Sequence, residues 1–239
     1  MNFEIFVLAG TAASVGLIHT VLGPDHYLPF IALGKARGWS KSRTLGLTAL
    51  CGVGHVMGSI ILGLVGIAFG VGVANLQSVE QVRGDWAGWA ILAFGLAYAV
   101  WGLRRAHNSH HHHHVHAHAD GTTHMHDHDH HRDHAHPHEQ PAAPMASTTP
   151  WVLFVIFVFG PCEPLIPLLM YPAAAHNWFA IGVVVVVFAA VTISTMVAVV
   201  GLALSGLSVV NFKSLERHAH SLAGGAVAAC GAAMVFLGL

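Results

Sequence analysis

Gly23-Pro24-Asp25-His26-Tyr27-Leu28-Pro29 interrupts an apolar run at residues 3–33, and Gly160-Pro161-Cys162-Glu163-Pro164-Leu165-Ile166-Pro167 interrupts another at 151–173. Proline removes a backbone donor and clashes with the preceding turn, so each stretch breaks a helix that its flanks would otherwise continue. Outward from these breaks, the chain holds six stretches of the roughly 20 mainly apolar residues that a helix needs to cross a bilayer. They are 3–33, 44–72, 86–104, 151–173, 178–206 and 221–239. Three spans per half make the second half enter the membrane from the opposite side to the first. The expected fold is therefore all-α and polytopic: six transmembrane helices as two inverted three-helix repeats, with Gly-Pro-broken first and fourth helices.

Composition agrees with a membrane as the solvent. Of 239 residues, 54% are apolar and only 9% charged, with a mean hydropathy of +0.62, whereas soluble domains carry roughly 25% charged residues. A formal net charge of −1 gives no reason to expect a nucleic-acid partner. Cys51, Cys162 and Cys230 are too few and too scattered for a secreted disulfide framework. Met1-Asn2-Phe3-Glu4 lacks the basic region of a signal peptide, so the first run is read as a true span. Lys35, Arg37, Lys41, Arg43, Arg104, Arg105, Arg132, Lys213 and Arg217 all follow odd-numbered spans, and Arg83 alone falls in the linker after the second. The positive-inside rule then puts both termini on the periplasmic side of a bacterial inner membrane. Trp39, Trp86, Trp89, Trp101, Trp151 and Trp178 are expected near span ends as interfacial anchors.

Residues 107–138 hold 16 of the 22 histidines, interleaved with Asp120, Asp127, Asp129 and Asp133. Such a segment has no apolar run to bury and reads as a disordered cytoplasmic loop. It divides the chain into a first repeat at 1–106, a histidine-rich loop at 107–149 and a second repeat at 150–239. Imidazoles bind late transition metals, so His110, His112, His114, His116, His118, His124, His126, His128, His130, His134 and His136 form an expected metal-collecting device.

Ionisable groups inside a span cost about 2.5 to 3.5 kcal/mol each on the insertion scale, so they need partners or a function. His19, Asp25, His26, His55, Cys162 and Glu163 meet that description. A lone histidine such as His55 reads equally well as a helix-packing hydrogen bond. Taken together, three imidazoles, two acids and a thiol make a borderline ligand set suited to nickel, cobalt or zinc rather than magnesium or calcium. Broken helices in inverted-repeat transporters expose backbone groups near the midplane, where the substrate binds. The expected activity is thus translocation of a divalent metal ion as cargo, leaning to efflux. Neither an enzyme activity nor a prosthetic group is expected. Protons compete with metal for these ligands, so proton coupling is expected, with Asp25 or Glu163 as carrier.

On His19-Thr20-Val21-Leu22-Gly23-Pro24-Asp25-His26 and Gly52-Val53-Gly54-His55 the chain resembles the nickel/cobalt transporters and the related urease-accessory membrane proteins. Their signature is His-x(4)-Asp-His, whereas five residues here separate His19 from Asp25. Nickel/cobalt efflux proteins also carry a histidine-rich cytoplasmic loop, similar to 107–138. The resemblance implies metal movement without an ATPase domain, and no Gly-x(4)-Gly-Lys-Ser/Thr motif is present. It also implies a further role to be weighed, delivery of metal to cytoplasmic metallochaperones or to urease and hydrogenase maturation proteins. Gly160-Pro161-Cys162 resembles instead the membrane thiol-redox carriers, which use one cysteine in each half. Asp25 stands at the matching position of the first half, so the exchanging pair would have to come from Cys51 or Cys230.

Overall fold

The computed structural model describes residues 2–108, 113–117, 123–127, 148–207 and 218–238. Eight helices account for nearly all of them: α1 (Asn2–Leu22), α2 (Leu28–Ala36), α3 (Lys41–Ala68), α4 (Val73–Asn108), α5 (Thr149–Phe159), α6 (Leu165–Ala174), α7 (Trp178–Leu207) and α8 (Ala219–Leu237). Among the described residues, α1, α3, α4, α7 and α8 are long and apolar enough to cross a membrane. Their outer faces carry Phe3, Phe6 and Leu202 at 80%, 77% and 74% exposure. A soluble protein does not leave so much large apolar surface open.

Both Gly-Pro stretches break their helices as expected. Pro24–His26 forms a single 3-10 turn between α1 and α2, and residues 160–164 separate α5 from α6. At 11 and 10 residues, α5 and α6 are each only about 16 Å long, half of a bilayer's hydrocarbon core. One boundary differs substantially from the sequence expectation. The third span was expected to begin at residue 86, but α4 starts at Val73 and runs for 36 residues, about 54 Å. Gly72 opens it, and Leu76 packs where a side chain on Gly66 would otherwise stand. Arg83 is therefore helical rather than a linker charge, and Trp86 and Trp89 lie in the middle of the helix rather than near its start.

Packing follows small residues. Helices α4 and α8 run antiparallel along a seam that pairs Gly102 with Ser221, Ala99 with Gly224, Gly95 with Ala228, Leu92 with Gly231 and Gly88 with Val235. Because Gly88, Gly95 and Gly102 recur every seven residues, the seam keeps one face over four turns. Several further contacts exchange between the halves: α1 on α7 and α5 on α3, α2 on α8 and α6 on α4, α2 on α7 and α6 on α3; α4 also packs on α5 without an equal counterpart. Within the histidine-rich segment, expected to lack regular structure, His113–Ala117 and Thr123–Asp127 pair as antiparallel strands, with His114 opposite His126 and His116 opposite His124.

Candidate metal centre

The first break folds His26 back over Gly23. A side chain at Gly23 would stand 2.5 Å from His26 Nδ1, so only glycine permits this turn. His26 Nδ1 lies 3.0 Å from the Gly23 carbonyl and 3.2 Å from Asp25 Oδ1. Both oxygens accept, so Nδ1 carries a proton, and in the neutral ring Nε2 presents a lone pair. Across from it, His55 projects from α3 against the second break. Its Nδ1 faces Gly160, where a Cβ would sit only 3.0 Å away, and the ring donates to the Phe157 carbonyl. That carbonyl is the one Pro161, lacking an N–H, leaves without its helical donor. Each break thus fixes one imidazole with its Nδ1 occupied and its Nε2 turned inward.

The two Nε2 atoms are 3.3 Å apart. At that distance one ring can donate a proton to the other, or both can turn lone pairs onto a shared cation. Metal–nitrogen bonds of about 2.0–2.1 Å in a tetrahedral site place neighbouring ligands about 3.3 Å apart. His19, from the last turn of α1, brings its Nε2 to 3.8 Å from Cys162 Sγ. His19, His55 and Cys162 each offer one ligand atom, all within 4.8 Å of one another. His26 joins this group through its contact with His55, and its ring centroid is 4.7 Å from that of His19. The nitrogen and sulfur donors favour a late first-row divalent ion.

Beneath Cys162 stands a buried ion pair that the sequence reading missed. Glu80, fully buried, and Arg83 meet at 2.6 Å on successive turns of α4. Together with Ser59 they satisfy the backbone that the second break leaves open. Cys162 N–H donates to Ser59 Oγ and Glu80 Oε2, both at 3.1 Å. Arg83 donates to the carbonyls of Val158 at 3.0 Å and Gly160 at 3.3 Å. The Gly160 carbonyl is deprived of its helical partner by Pro164, as Phe157's is by Pro161. Gly58 makes room for the guanidinium, since a Cβ there would stand 2.5 Å from Arg83 Nη2. The missed signal was the i, i+3 spacing of the two charges, hidden because residues 73–85 were read as a linker.

Of the six expected ligands, the structure brings His19, His26, His55 and Cys162 together. Asp25 contacts the cluster through His26 Nδ1 rather than as a member of it, the outer carboxylate position of a carboxylate–histidine–metal arrangement. Glu163 is exposed, has Glu80 and Asp85 as its charged neighbours, and stands outside the cluster. In the loop, His114, His116, His124 and His126 fall in the paired strands, while His110, His112, His118, His128, His130, His134 and His136 lie outside the described residues. Comparison with protein-family models, with curated proteins and with solved structures gives no match.

Proposed function

We propose that the protein is a secondary transporter that moves a divalent transition-metal ion through the membrane, with nickel and cobalt as first cargoes and zinc as their competitor. The observation that carries this reading is the pair of inward-facing Nε2 atoms at 3.3 Å, beside a third histidine and a thiol. Binding alone would not require broken helices at the site; transport does, because discontinuous segments can open to either side. The exchange of several packing partners between the halves supports an inverted repeat, in which α5 and α6 together make the fourth of six spans. Nickel/cobalt transporters, which the sequence resembles, are the family this reading implies. With the basic linkers inside, the histidine-rich segment faces the cytoplasm and collects ion for export. Proton exchange would drive that export, because protons compete for the same lone pairs.

The thiol-carrier reading is the weaker one. Cys51, Cys162 and Cys230 are all free and buried, and Cys162 packs in a different apolar cluster from the other two. Thiol exchange needs a second sulfur within reach of the first.

The test is metal content and survival of cells that express the intact protein, a His19→Ala/His55→Ala variant or a chain lacking 107–138, across graded nickel, cobalt and zinc. Lower cell metal with the intact protein, lost in the double variant, is the expected result and identifies the ion. Higher cell metal would reverse the direction to uptake. Unchanged metal with altered periplasmic thiol oxidation would overturn the transport reading. Unchanged metal with lost urease or hydrogenase activation would replace it with a delivery role.

A further inference from the structure

Away from the metal centre, the loop between α2 and α3, the end of α4 and the start of α8 enclose an open cavity of about 470 Å³. Arg37, Arg43, Arg105, Trp39, Trp101 and His220 line it, with no carboxylate among the described lining residues. Three guanidiniums gathered around one cavity repel one another, and an anion held between them offsets that repulsion. Each guanidinium is also held over a ring: Arg37 over Tyr98 at 5.3 Å, Arg43 over Trp39 at 5.4 Å and Arg105 over Trp101 at 5.5 Å. Such stacking restricts the side chains before any ligand arrives.

Backbone and histidine donors converge on the same space. Ser40, which caps α3, and His220, in the first turn of α8, both line the cavity. The starts of α3 and α8 therefore border it. The cap of α8, His218, makes no side-chain cap bond. Helix N-termini carry partial positive charge and donate to anions. Arg37 Nε donates to the Tyr98 hydroxyl at 3.2 Å, which leaves that hydroxyl to donate to His220 Nδ1 at 2.8 Å. His220 Nε2 then carries the ring proton and is a further donor.

We propose that this cavity is a binding site for a phosphate-bearing anion, either the headgroup of an acidic phospholipid or a soluble phosphate. Forked guanidiniums match phosphate oxygens in pairs, and basic clusters beside tryptophans at a span end suit a headgroup at the membrane surface. The proposal stands independently of the transport reading.

The intact protein, purified in neutral detergent, is titrated with inorganic phosphate at constant ionic strength, and separately placed in bilayers of phosphatidylcholine with or without phosphatidylglycerol. Thermal unfolding and native mass spectrometry are read in parallel for the wild type, for Arg43→Gln/Arg105→Gln, and for Arg43→Gln alone. Both arginines are exposed, so the variants fold. Stabilisation by phosphatidylglycerol, with one retained lipid per chain and affinity reduced about tenfold or more in the double variant, assigns the site to lipid. The same pattern with inorganic phosphate assigns it to a soluble anion. Equal response of wild type and both variants to every probe, or no response in any, overturns the proposal.

Discussion

At His26 and His55, two imidazoles owe their orientation to carbonyls at the helix breaks, Gly23 in the first and Phe157 in the second. The ligand geometry is a by-product of helix breaking, so its failure should be all-or-none at the metal and small in the fold. Cobalt titration followed by visible absorption should show His55→Ala weakening binding by more than about 100-fold, beyond the about 10–100-fold expected for an outer partner. Asp25→Asn should fall within that lower range, because it only orients His26. Cys162→Ser should remove the sulfur-to-cobalt charge-transfer band while the weaker visible bands persist in altered form. Glu163→Gln should leave affinity within about twofold of wild type, since its carboxylate stands outside the cluster. Affinity should also fall as pH is lowered: the imidazoles and the thiol bind metal only when deprotonated, and acid returns the proton. A titration that ignored pH would remove the imidazole ligands from the account.

At the scale of elements, the Glu80–Arg83 pair holds the second break open against the helix's tendency to close. Removing one partner strands a charge in the interior, a loss of about 3–5 kcal/mol. Unfolding of Glu80→Ala should show it, and Glu80→Ala/Arg83→Ala should recover part of it. The glycine seam between α4 and α8 makes a separate prediction. Gly95→Leu must push the helices apart, costing at least about 1–3 kcal/mol, whereas Gly225→Ala meets open space and should change stability by less than about 0.5 kcal/mol. Thermal unfolding of the two variants checks both. Both helix breaks were legible from glycine and proline alone, because those residues act on the backbone wherever it packs. The ion pair was not. Residues 73–85 contain Asn75, Gln77, Glu80, Arg83 and Asp85, and polarity read locally gives a linker. Only the break in another helix, 80 residues later, supplies the open backbone groups that make these charges structural. Gly224 likewise gains its role from a distant helix, since it packs against Ala99 of α4.

For the whole molecule, no single stretch contains the site. His19 and His26 come from the first helix pair, His55 from α3, and Cys162 from beyond the histidine-rich segment. Their types were legible in the sequence, since buried ionisable residues are costly and few; which of the acids belongs to the cluster depended on distances that spacing along the chain does not encode. In proteoliposomes, metal leaving the lumen should acidify it in step with ion movement, since protons enter in exchange, and a pH-sensitive dye trapped inside measures it. Metal flux with no accompanying proton flux would exclude exchange. The seam of α4 with α8 carries a consequence for synthesis. Helix α4 emerges more than 100 residues before the helix that fills its glycine face, so during translation it exposes a groove fitted to a partner that does not yet exist. Until α8 arrives, that groove is open to any small-faced helix in the membrane, and a ribosome stalled before residue 219 leaves a chain whose metal ligands are all made and whose frame is not.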